Sequence, residues 1–186
     1  MLGAIQFMTS PSSPDNLGAK NERSLVTLHR AISSSQGEFS LILVSCNCPH
    51  LQQQIANRLS SGLPNPPERI VLSSDIQTLY TTIATFLRDR QPPALMIFGL
   101  NAVKALDRVL KATNLSRHLF VKFFHFPLIL WVDDRVIREL IYCAPDFKNY
   151  CGGTIRFDTA DKSSPSPSLS PTSSPCSLRA RVKNRV

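Results

Sequence analysis

Cys46, Cys48 and His50 stand at alternate positions in the stretch FSLILVSCNCPHLQQQIANRL (residues 39–59), with Asn47 and Pro49 between them. Two thiols and an imidazole this close suggest metal ligation or redox chemistry. Structural zinc needs four tetrahedral ligands, usually supplied as two closely spaced pairs. Cys143 and Cys151 are the nearest thing to a second pair, and they are eight residues apart. Cys-x-Cys is also not the Cys-x-x-Cys of thiol–disulfide enzymes. The expected role of these thiols is that of small buried apolar groups, and no metal or other cofactor is expected. His29, His118 and His125 show no ligand pairing with one another, and the chain has no Gly-x-Ser-x-Gly or His-Glu-x-x-His motif.

The same stretch runs from an apolar segment into a helical pattern, the junction at which many α/β proteins hold phosphate. A phosphate loop needs glycines so that backbone N–H groups can wrap the anion, a lysine for the outer phosphate oxygens, and a hydroxyl for magnesium. The turn Cys46, Asn47, Cys48, Pro49, His50 offers neither glycine nor lysine. Pro49 removes one more N–H, although proline suits the first turn of a helix. The turn is therefore expected to be structural, with at most weak anion tolerance from the helix start. A second candidate is Asp133 with Asp134, which follow the run PLILWV as magnesium-binding acids would. In nucleotide hydrolases that acid ends the third strand, which here is LMIFGLN with Gly99 and Asn101. Asp133 and Asp134 are expected to cap the helix that follows, with a nucleotide–magnesium site as the alternative. No catalytic residue is assigned.

The elements that would position these residues alternate. Helical spacing is seen in residues 22–36, 50–62, 75–90, 101–125 and 133–144. Asp75 is the expected N-cap of the third of these, and the fourth is expected to break near Thr113-Asn114. Leu115, Leu119, Phe120, Phe123 and Phe124 are expected to form an inward stripe there, with an exposed aromatic interface as the alternative. Val136, Leu140 and Ile141 are expected to face inward on the last. Apolar runs of strand length lie at 39–46, 69–73, 92–100, 127–132 and 153–158. Runs apolar on both faces suit parallel strands covered by helices. The expected fold is α/β, a five-stranded, mainly parallel sheet with helices on both faces.

The chain has 186 residues and a formal charge of +8. Residues 161–186 hold five basic residues and one acid, half of that surplus, and 12 of these 26 positions are Pro or Ser. Such a segment cannot bury enough apolar surface to offset its ordering entropy, so residues 159–186 are expected to be a disordered basic tail. Residues 1–21 are expected to be loose, with a domain at 22–158. The tail could touch nucleic acid weakly through counterion release; no other nucleic-acid or membrane partner is expected. The longest apolar run is far too short to span a bilayer. With no basic region and apolar core at the amino terminus, a cytoplasm with reduced thiols is expected.

The segments LILVSCNCPHLQQQIANRL, PPALMIFGLNAV and FPLILWVDDRVIRELIYCAPDFKNY together resemble a degenerate P-loop NTPase-like (AAA/STAND-like) domain. That domain occurs in bacteria, notably cyanobacteria, at the amino end of tetratricopeptide-repeat proteins. The resemblance rests on Cys46-Asn47, on Phe98-Gly99-Leu100-Asn101, on Pro127 to Val132, and on Ala144-Pro145-Asp146-Phe147 with Tyr150. Lys148 and Tyr150 depart from it, standing where relatives often carry tryptophan. The resemblance implies a sheet of order 5-1-4-3-2. It also implies a non-catalytic interaction or regulatory module, whose partner is a protein such as a helical-repeat module.

Overall fold

A computed structural model describes residues 14–159. Five strands form one sheet: β1 (Ser40–Cys46), β2 (Glu68–Val71), β3 (Leu95–Phe98), β4 (Pro127–Val132) and β5 (Cys151–Phe157). The helices are α1 (Pro14–Ser34), α2 (Pro49–Gly62), α3 (Leu79–Leu87), α4 (Leu106–Leu115), α5 (Arg117–Phe123), α6 (Asp134–Cys143) and α7 (Pro145–Lys148), with a 3-10 turn at Leu100–Ala102. All strand pairs are parallel, in the order β2-β3-β4-β1-β5. Read from the other edge this is 5-1-4-3-2, the order that the resemblance implies.

The alternation of each strand divides the core into two layers. Leu41 and Leu43 of β1 join Leu128 and Leu130 of β4 against α3, α4, α5, α6 and α7. Ile42, Val44 and Cys46 join Ile129 and Trp131 against α1 and α2. The most apolar strands, β1 and β4, sit in the interior of the sheet, where both faces are covered.

The connection leaving β1 runs toward β2, and the one leaving β4 runs the other way toward β5. Since β-α-β crossovers are right-handed, opposite directions carry α2 and α6 to opposite faces. A crevice at the carboxyl ends of β1 and β4 results, the place where open α/β sheets bind their ligands. After β3 the chain turns at Gly99, whose φ is +85° and where a Cβ would lie 3.1 Å from the Leu72 carbonyl oxygen. Only glycine combines that backbone with that approach.

Several expectations are corrected. Residues 14–21 are not loose, because α1 starts at Pro14. Lys20 pairs with Asp158, and the Asn21 amide bonds the Asp158 backbone, so α1 is fastened to β5. Asp75 does not cap α3. Its carboxylate is drawn to Ser74 and Lys104, and Thr78 is the N-cap, accepting from the Thr81 N–H. The break between α4 and α5 falls at Ser116, past Thr113-Asn114, which lie within α4. Leu115, Phe123 and Ile141 face outward, whereas Phe120 and Phe124 are buried. The rest of the segment expected to be loose and of the expected disordered tail, residues 1–13 and 160–186, lies outside the described residues.

Candidate functional site

The turn after β1 and the two aspartates after β4 meet across the crevice. Asn47 ends the β1 turn, and its side chain makes two bonds to one residue of α6. Its Nδ2 donates to Asp134 Oδ2 at 2.8 Å, and its Oδ1 accepts the Asp134 backbone N–H at 3.1 Å. Arg156, at the end of β5, donates to Asp134 Oδ1 at 3.0 Å, and the Ser45 hydroxyl reaches the same oxygen at 3.5 Å. Both oxygens of Asp134 thus face donors of this chain. Its carboxyl is held below the ordinary aspartate range, first by the Asn47 hydrogen bond and then by Arg156 and Ser45, against the opposing effect of burial. Asp133 is the N-cap of α6, and its Oδ1 accepts the Val136 N–H at 2.7 Å.

The sulfur groups turn inward. Cys46 is buried and donates to the Cys48 carbonyl at 3.3 Å, and burial pushes its thiol above the ordinary value. Cys48 is the N-cap of α2 but makes no side-chain cap bond, and Pro49 begins the helix. Cys143 and Cys151 belong to the core layer on the far side of the sheet from Cys46 and Cys48. The sheet therefore separates the two cysteine pairs. Among the described residues no group of three or more His, Cys, Asp or Glu side chains is placed to hold a metal ion. His50, His118 and His125 are exposed, while His29 Nε2 lies 3.0 Å from the Gly62 carbonyl oxygen.

An aromatic row fills the α2 side of the same region. Trp131 of β4 stacks on Phe98 of β3 at 5.5 Å and on Phe157 of β5 at 6.2 Å between ring centroids. Cys48 and Leu51, from the start of α2, pack against this layer. Beside Phe98 the layer ends in a groove of about 250 Å³ lined by Pro49, Gln52, Ala56, Arg69, Val71 and Phe98, among others. The Arg69 guanidinium donates to Asn57 Oδ1, the Ala56 carbonyl and Ser60 Oγ of α2.

The structure brings Asn47 and Asp134 together and assigns Asp133 to capping. It does not bring Cys46, Cys48 and His50 into a common ligand set. Ser45 and Arg156 were not singled out from the sequence. Arg156 carried a signal, since a cation ending a strand of a parallel sheet lies at the end where acids of neighbouring strands collect. No family model matches the chain, and no curated protein matches it.

Proposed function

We propose that this chain is a non-catalytic, P-loop NTPase-like module that works by binding protein, in association with helical-repeat signalling proteins of the bacterial cytoplasm. The observation that carries the reading is the Asn47–Asp134 clasp across the crevice. A nucleotide there would need backbone donors from the turn and a carboxylate free to hold magnesium. Asn47 instead holds the carboxylate of Asp134 and the first N–H of α6, Arg156 adds a counter-charge, and Asp133 is engaged with Val136. The turn supplies no lysine to replace what it lacks. A triphosphate there would have to displace the Asn47 and Arg156 contacts of Asp134 and would meet its negative charge. Calorimetric titration of the full chain with magnesium-ATP tests the reading. No heat of binding is expected at micromolar nucleotide, and a micromolar dissociation constant would overturn it in favour of a nucleotide switch using Asp133 and Asp134.

A further inference from the structure

We propose that the free edge of β2, with the groove beside it, is a docking site for an extended segment of a partner protein that carries an apolar side chain. This deepens the reading of the domain as a protein-binding module, but it rests on different residues from the crevice.

The backbone of β2 faces two ways. The Glu68 and Leu72 N–H groups donate to the Ala94 and Phe98 carbonyls of β3, and the register pairs Ile70 with Ile97. In a parallel ladder the residues between these point their N–H and C=O groups away from the partner strand. Arg69 and Val71 therefore present two donors and two acceptors to the outside of the sheet, and among the described residues nothing hydrogen-bonds to them. Their side chains lie on the α2 face, where α2 stops short of covering β2. Val71 is 74% exposed, a β-branched residue on an open edge. Unpaired edges of this kind are templates for strand addition.

The opposite edge is treated differently. There α1 supplies partners at the carboxyl end: Ser24 donates to the Arg156 carbonyl, and the Asn21 amide both donates to the Asp158 carbonyl and accepts its N–H. The carboxyl end of that edge is held by α1 side chains, whereas no side chain among the described residues bonds the outward groups of β2 beside its apolar groove.

The groove decides what the added strand must be. Alternate side chains of a strand laid along β2 fall on the α2 face, next to Val71 and over the groove floor of Phe98, Pro49 and Ala56. That position takes an apolar residue, and the amides of Gln52 and Gln53 at the rim accept polar neighbours. A second copy of this chain fits less well. Pairing two β2 edges about a two-fold axis through Ile70 would set Arg69 of one copy opposite Val71 of the other. Arg69 is held on its own α2 by three hydrogen bonds, so the groove would stay unfilled.

The test uses the full chain as bait for a displayed library of random nonapeptides, counter-selected on Val71→Lys. Enrichment of peptides with apolar residues at alternate positions is expected. Their affinity should fall at least about tenfold on Val71→Lys, on Val71→Pro, which removes an outward N–H without touching the β3 ladder, and on N-methylation of the peptide backbone. Thermal unfolding of Val71→Lys should match wild type, so a loss of binding is not a loss of fold. The proposal is overturned if no peptide distinguishes wild type from Val71→Lys, or if binding survives both Val71→Pro and N-methylation. It is equally overturned by a dimer of the free chain that Val71→Lys abolishes, since the edge would then belong to a second copy. Magnesium-ATP calorimetry is blind to this edge, so failure here and failure at the crevice read out separately.

Discussion

The two outer strands of the sheet face the same physical problem and meet it differently. Each pairs on one side only and would leave backbone groups pointing outward. At the carboxyl end of β5, Asn21 and Ser24 of α1 take the Arg156 carbonyl and the Asp158 N–H and carbonyl, and Lys20 adds an ion pair to Asp158. Along β2 no helix reaches the edge, and the strand is only four residues long. An asparagine side chain carries the same donor and acceptor as a peptide group, so Asn21 behaves as a one-residue strand. The crevice between β1 and β4 is closed by the same device, with Asn47 in place of Asn21. Amide side chains thus tie the strand ends at the crevice and beside β5, and among the described residues no side chain does so along β2.

Substitutions can break this contrast, beginning with the shared platform. Trp131 links the crevice to the β2 side through Phe98 and is almost fully buried. Trp131→Ala should cost about 3–5 kcal/mol, read as a fall in the urea midpoint, and a loss below 1 kcal/mol would mean the row is not part of the core. Unsealing the guarded edge should cost less. Asn21→Ala removes both bonds to Asp158 and should destabilise by about 1–2 kcal/mol, with faster exchange of the Asp158 amide. A substitution without effect on that amide would show that α1 does not seal the edge.

The clasp should respond on a smaller scale and with a pH signature. Asn47→Ala should cost about 1 kcal/mol near neutral pH and raise the Asp134 pKa toward its ordinary value. The folded-state pKa is depressed, so the contribution of Asp134 is present above the unfolded value of about 3.9 and is lost as pH falls through the lower folded value. Removing Asn47 should flatten this acid dependence, which carboxyl NMR titration of both proteins would detect. An unchanged Asp134 titration would remove the clasp from the account. The smallest effect belongs to the open edge: Val71→Lys should change stability by no more than about 0.5 kcal/mol, and a larger loss would show that Val71 is part of the fold.

Much of this was legible in the residues. The continuous apolar runs SLILVSC and PLILWV mark parallel strands covered on both faces. Asp133 was legible as a cap because its partner is three residues away. The clasp was not, since Asn47 and Asp134 are 87 residues apart and no local pattern ties them. The same holds for Asn21 with Asp158, for Gln91 bonding Phe123 and His125, and for Asn114 bonding Phe147. An exposed-looking amide in a sequence gives no sign that it stands in for a strand. The start of α1 was missed for the same reason, because its support comes from β5 at the far end of the domain. Ile141 was misplaced because an apolar residue next to a helical stripe is not thereby on it.

Native-state amide hydrogen exchange of the full chain tests the contrast between the edges most directly. Strong protection is expected at Asp158, Ile70 and Leu72, with Arg69 and Val71 exchanging nearly as fast as unstructured amides. Protection at Arg69 and Val71 equal to that of Ile70 and Leu72, or free exchange at Asp158, would contradict it.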